Sequence, residues 1–264
     1  MTAPASDGMV AEVGRAVREK AREPFVCVDE DSRVERMTPP MTGTAAAGRR
    51  VLTEVAAKEL VAAQGIPVVP THLAKSRAEA IRLAKELGFP VALKVASPDI
   101  LHKSDVGGVR LHIGSIKQVG EAYREVLARA RAHVPEATID GVAVQGMAKP
   151  GIEVMVGVTQ DPTFGPVVMF GLGGIFVELL RDVAFRVIPL RPRDARAMLR
   201  EIEGFPTLQG YRGMPPVDLH ALEDIILKLS ALAEQRPDIC EIDLNPVYAY
   251  PTGVLAVDAR IILT

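Results

Sequence analysis

"PVALKVASPDILHKSDVGGVRLHI", residues 90 to 113, contains two strand-like runs separated by a polar segment. In the first run, alternation puts Val91, Leu93 and Val95 on one face and Ala92, Lys94 and Ala96 on the other. A lysine flanked by alanines leaves room for a ligand beside its ammonium, which acts as a point charge toward phosphate; the competing reading is a lysine snorkelling from a strand edge. The segment between the runs is bounded by Pro98 on one side and by Gly107 and Gly108 on the other, and carries His102 beside Lys103, Ser104 and Asp105. A neutral imidazole is a competent nucleophile toward phosphoryl groups, although a lone histidine is more often structural or merely exposed.

Outward from this stretch, helix and strand intermingle. An apolar-periodic helix starts near Val51 and ends near Gly65, followed by a short strand, "IPVV". A second helix begins at Ser76, with Glu79 three residues on as a capping box, and stops at Gly88; a long one runs from Ser115 to about His133. Three strands follow, "GVAVQGM", "IEVMVGVTQ" and "GPVVMFG", then strand-like "FRVIPL", helices at 194–203 and 218–235 with Asp218 as N-cap, and two strands around a "YPTG" turn. This order predicts an α+β fold of two lobes, residues 51–141 and 142–264, with a ligand cleft between them. Residues 1–50 differ in composition and read as an extension or linker, with a weakly amphipathic helix from Met9 to Glu23.

Composition narrows the functional classes. The 264 residues carry a net charge of -2, which disfavours a nucleic-acid surface or a polybasic membrane patch. Cys27 and Cys240 are far apart and lack metal-type spacing, so a disulfide framework and a zinc site are both disfavoured and a cytoplasmic location is expected. No signal peptide and no membrane span are read.

The C-terminal strands, "CEIDLNPVYAY" and "GVLAVDARI", put Glu241, Asp243 and Asn245 on one face, and Asp258 and Arg260 on a shared face of the partner. A turn about Pro251 and Thr252 sets Asn245 opposite Asp258. Two hard oxygen donors suit Mg²⁺, which takes few protein ligands; the alternative is a surface hairpin with an Asp243–Arg260 pair. Glu153, the one acidic residue in "GIEVMVGV", is either solvated or cleft-facing. "GLGG" at 171–174 is either a plain turn or a close backbone approach to an anion, with Glu178, Arg181 and Arg186 beyond it as surface pairs or phosphate contacts. It matches neither a Walker A sequence nor G-x-G-x-x-G.

Taken together, "LKVASPDILHKSDVGGV", "FGLGGIFVELLRDVAFR" and "EIDLNPV…AVDARI" resemble the ATP-grasp subunit of ADP-forming acyl-CoA synthetases, and more distantly the β-subunit of succinyl-CoA synthetase. The resemblance runs from about Val51 to the C-terminus. It implies an ATP-grasp fold and a reaction in which acyl-CoA, ADP and phosphate give acid, CoA and ATP. The acid and CoA would bind a separate CoA-binding α-subunit, while this chain takes ATP/ADP and Mg²⁺. By position, His102 would be the mobile phosphocarrier, with Lys103 beside it as a catalytic residue and Ser104, Gly107 and Gly108 shaping the loop. Lys94 would contact nucleotide phosphates, Gln145, Gly146, Met147 and Ala148 would line the adenine pocket, Glu153 would lie near the nucleotide, and Asn245 and Asp258 would hold the metal. The competing functions are a regulatory nucleotide-binding module and an ATP-grasp carboxylate–amine ligase, which needs no carrier histidine.

Overall fold

The structure is a computed structural model and describes residues 49–174 and 182–264. The expected helix at 9–23, Cys27, Glu178 and Arg181 lie outside the described residues. The chain divides into two compact units.

Among the described residues, one unit contains 49–151 together with 238–248 and 255–264. Its main sheet has four antiparallel strands in the order β2 (Thr71–Ala74), β5 (Gly141–Gly146), β3 (Val91–Ala96), β4 (Val109–Ile113). The face bearing Val91, Leu93, Val95, Val142 and Val144 packs on α2 (Arg77–Leu87) and α3 (Ile116–His133) through Ala80, Leu83, Val119 and Val126. Ser76 caps α2 by accepting from the Glu79 amide at 3.2 Å, while Glu79 Oε2 accepts from the Lys75 amide at 2.8 Å, so the capping box reaches one residue earlier than expected. Gly88, at φ +82°, ends the helix in a conformation that favours glycine.

The same unit holds α1 (Glu54–Ala63) and a second ladder, in which β11 (Arg260–Leu263) pairs antiparallel with both β1 (Arg50–Val51) and β9 (Ile239–Ala249). β10 (Val254–Ala256) also pairs with β9. The expected strand "IPVV" reduces to a single bridge, Val68 to Ala256, because Pro67 and Pro70 have no N–H to donate; pairing resumes at Thr71.

The other unit holds 152–237 and 249–254. Its strands β6 (Ile152–Asp161), β7 (Gly165–Leu172) and β8 (Val183–Val187) form an antiparallel meander, packed by α4 (Pro192–Glu201) and α6 (Leu219–Gln235). A short helix, α5 (Phe205–Leu208), follows α4. The core here includes Val156, Phe170, Met198, Leu222 and Leu229, all fully buried. Asp218 caps α6 by accepting from Ala221 at 3.0 Å.

The architecture is mixed α and β with antiparallel sheets, as expected; the first unit also takes in β5 and residues 238–248 and 255–264. The reason is register: β5 is hydrogen-bonded between β2 and β3, pairing Val144 with both His72 and Leu93, so it cannot open the second unit. No helix among the described residues is long and apolar enough to cross a membrane.

Leu93 is fully buried in the first unit's core. Leu93→Ala is expected to destabilise the protein by about 2–5 kcal/mol, read as a lowered urea midpoint.

Candidate functional site

The sheet face opposite the helices is polar where it matters. Register aligns Thr71, Gln145 and Ala92 across three strands, with Lys94 two residues along β3. Lys94 is 6% exposed, so it does not snorkel from an edge. Helix α1 approaches this face with Glu54 and Lys58, and both are buried. Thr53 caps the helix by accepting from Ala56 at 3.4 Å, and Leu52 N–H donates to Ile261 O at 2.9 Å, which fixes where the first turn begins. Glu54 therefore sits in the first turn, where the helix dipole favours a carboxylate.

Three ammonium groups converge on that carboxylate. Lys94 Nζ lies 2.7 Å and Lys58 Nζ 2.9 Å from Oε1, while Lys103 Nζ lies 2.6 Å from Oε2. Lys58 also donates to Thr71 Oγ1 and Gln145 Oε1, each at 2.9 Å. Lys94 reaches Asp258 Oδ2 at 3.1 Å. Three cations thus face two carboxylates, leaving a surplus of one positive charge within this cluster.

The electrostatics follow from this arrangement. Burial alone would raise the Glu54 carboxyl, but Lys94, Lys58 and Lys103 outweigh it and hold the group well below the usual carboxylate range. Burial pushes Lys58 down to about 8 against the pull of Glu54. Burial opposes the charge on Lys94 too, yet Glu54 and Asp258 prevail and raise it.

Asn245 lies in β9, and Asp258 in the connection between β10 and β11. Arg260 pairs with Asp243, Ile261 with Ile242, and Val257 N–H donates to Pro246 O at 2.9 Å; the same register sets 258 across from 245. Asn245 is exposed, and Asp258 Oδ1 accepts from the Ala259 amide at 2.9 Å. On the same face of β9, Asp243 Oδ1 is buried with no hydrogen-bond partner, and burial pushes its carboxyl up to about 6 despite Arg260, with Glu241 and Asp258 adding to the rise. Arg260 pairs with Glu241 and, at 3.8 Å, with Asp243. Asn245 and Asp258 offer hard oxygen donors of the kind Mg²⁺ takes, and the orphaned Asp243 oxygen lies on the same face of β9 as Asn245.

The remaining expected residues fall in several places. His102 is exposed and Lys103 half-buried in the segment between β3 and β4. Gly107 adopts φ +62°, and a Cβ on Gly108 would lie 2.6 Å from Val95 Cγ1, so glycine is required there by space. Gln145 is buried with its side chain bonded to Lys58, while the Gly146 and Met147 amides donate to Pro70 and Pro90 carbonyls at 3.2 and 3.3 Å. Ala148 is half-buried. Glu153 belongs to the other unit, where its carbonyl accepts from the Gly173 amide at 2.7 Å and a Cβ on Gly174 would lie 3.0 Å from its Oε2, so "GLGG" packs on Glu153. Arg186 is tied to Glu201 at 2.5 Å.

Sequence reasoning missed Glu54, Lys58 and Thr71. A signal was available: Glu54, Ala57, Lys58 and Val61 are the buried face of α1, so a charged pair occupies the apolar stripe of an otherwise amphipathic helix.

A mixed α/β chain with a buried lysine cluster beside Asp258 has the makings of a phosphate-handling protein. The model of the ATP-grasp domain matches residues 43–263. The chain is 48% identical over 219 residues to the ADP-forming acetate–CoA ligase I subunit beta of Pyrococcus furiosus, covering 83% of this chain and 94% of that one. Among solved structures, the dinucleotide-forming acetyl-coenzyme A synthetase 1 of Ca. Korarchaeum cryptofilum, in complex with coenzyme A, Ca-AMPCP and HgCl+, superposes with a TM-score of 0.80 at 49% identity, covering 82% of this chain and 95% of that one. The same enzyme with coenzyme A and Mg-AMPPCP, its phosphohistidine segment pointing towards the nucleotide binding site, gives 0.71 at 45% identity over 81% and 93%. The chain belongs to the ATP-grasp family and, within it, to the β-subunit branch of the ADP-forming acid–CoA ligases.

The Glu54 carboxyl, ordinarily near 4.5, lies lower when folded, so the folded state holds fewer protons on it than the unfolded chain does. Its contribution to stability is complete above about pH 4.5 and is lost as pH falls further. Glu54→Gln is expected to flatten this acid limb in denaturant titrations. Glu54→Ala, which strands buried ammonium groups, is expected to cost about 3–5 kcal/mol at neutral pH.

Proposed function

We propose that this chain moves a phosphoryl group between His102 and the terminal phosphate of ADP, as the nucleotide-binding β-subunit of an ADP-forming acyl-CoA synthetase whose CoA-binding α-subunit binds the acid and CoA. The observation that carries this reading is the shared carboxylate: Lys103, next to His102, and Lys94, next to Asp258, bond the two oxygens of Glu54. The carrier segment and the phosphate-handling residues are thereby adjacent.

In the ATP-forming direction, a terminal oxygen of ADP attacks the phosphorus in line as the P–N bond to the imidazole breaks; the reverse step breaks the P–O bond to ADP and forms P–N on His102. Lys94 and the surplus positive charge at the cluster stabilise the spread negative charge of the transferring group. Asn245 and Asp258 would hold Mg²⁺, which when bound neutralises phosphate charge and orients the leaving oxygen. Gln145, Gly146, Met147 and Ala148 would face the adenine, and Gly107 would let the loop turn against the fixed Gly108. Splitting a long transfer into two short ones requires a segment that moves, and exposed His102 in a glycine-bounded loop suits that need.

The relatives support this reading. The Pyrococcus furiosus protein is named as a β-subunit, and the Korarchaeum enzyme has a phosphohistidine segment directed at a nucleotide site. Incubation with Mg²⁺ and γ-labelled ATP, with and without an α-subunit, is expected to give acid-labile, base-stable protein phosphate that His102→Ala abolishes. Label retained in His102→Ala would refute the carrier role.

A further inference from the structure

Residues 101–107 are held unusually lightly. Ile100 is buried in the core before them; Val106 packs against that core, and Gly108 accepts from the Val95 amide at 2.8 Å after them. Between those anchors the backbone bonds are internal: Asp105 to His102 O at 3.2 Å, Gly107 to Ser104 O at 3.0 Å, and Gly108 to Lys103 O at 2.8 Å. Among the described residues, one hydrogen bond leaves residues 101–107 for a side chain elsewhere, Lys103 Nζ to Glu54 Oε2 at 2.6 Å.

We propose that this ion pair is a latch that docks the His102 segment at the lysine cluster, and that Glu54 is the positioning residue that receives it. The proposal rests on His102 being the carrier. The partition of the carboxylate makes the latch reversible. Lys58 and Lys94 occupy Oε1, so when Lys103 lets go of Oε2 the buried carboxylate keeps two ammonium partners. Release therefore breaks one charge-assisted bond without leaving an unpaired buried charge, the feature that makes broken buried pairs so costly. Lys103 is the more accessible member, 17% exposed against 2% for Glu54, so the departing group is the one that water can rehydrate. The pivot is also defined. Gly108 is hydrogen-bonded to Val95, while at Gly107, φ +62°, the three nearest atoms an added Cβ would meet belong to the side chain of Arg129, which can shift.

The test reads the latch without nucleotide, by millisecond hydrogen–deuterium exchange on the full chain. Lys103→Met should accelerate exchange across 101–107 by about tenfold or more while β3 and β5 exchange as before. Lys103→Arg, which keeps an ion pair, should restore most of the protection. Glu54→Gln should loosen the same segment, and adding it to Lys103→Met should loosen it no further. Should Glu54→Gln fail to fold, the Met and Arg variants decide alone. Unchanged exchange in Lys103→Met, or equal exchange in the Met and Arg variants, overturns the latch; so do additive effects of the two sites. Labelling kinetics separate a latch from direct phosphate binding. In Lys103→Met the latch lowers the labelling rate at saturating ATP with little change in KM, whereas a raised KM at unchanged maximal rate contradicts it. Because exchange needs no ATP, a failed latch and a failed carrier assignment give different results: the first leaves label on His102, and the second leaves the exchange pattern intact without label.

Discussion

The Glu54 carboxylate organises the site. It is buried in the first turn of α1, and the three lysines it bonds come from the same helix, from the middle of β3 and from the segment that carries His102. A lone buried ammonium is costly, and two adjacent ones more so, unless a counter-charge is held in fixed geometry. Cap, strand pairing and sheet register together hold it: Thr53 starts the helix, β1 on β11 fixes its entry, and the Thr71–Gln145 pair supplies the remaining acceptors for Lys58.

On the proposed function, that arrangement serves phosphate rather than stability. An apolar replacement of buried ion pairs is often no less stable, so a cluster this dense costs the fold something in return for a positive field at a chosen point. The field lies where Lys94 meets Asp258, beside the β9–β11 ladder and its orphaned Asp243 oxygen. Its charged groups, Glu54, Lys58, Lys94, Lys103 and Asp258, all belong to one of the two compact units.

Much of this was legible in the sequence. Alternation in "VALKVA" separated the core residues from Lys94, and the turn at "YPTG", closed by Tyr250 N–H on Gly253 O, agrees with the pairing of Arg260 with Asp243, because strand period and hairpin closure are local constraints. The Ser76, Ser115 and Asp218 caps were readable for the same reason. What local pattern could not supply was long-range pairing. The strand at Arg50–Val51 is defined by β11 more than two hundred residues later, and β5 joins the first unit because β2 and β3 flank it. An i,i+4 acid–base pair such as Glu54 and Lys58 usually faces solvent on a helix; only the periodicity of Ala57 and Val61 places this one inward.

The central claim is that the buried lysine cluster exists to bind nucleotide phosphate. The most direct measurement is calorimetric titration of the protein and of Lys94→Met with ADP and with AMP in the presence of Mg²⁺. The account predicts that the wild type prefers ADP by about tenfold or more and that Lys94→Met erases most of that preference while AMP affinity changes little. A variant that folds and still discriminates ADP from AMP as well as the wild type would contradict it.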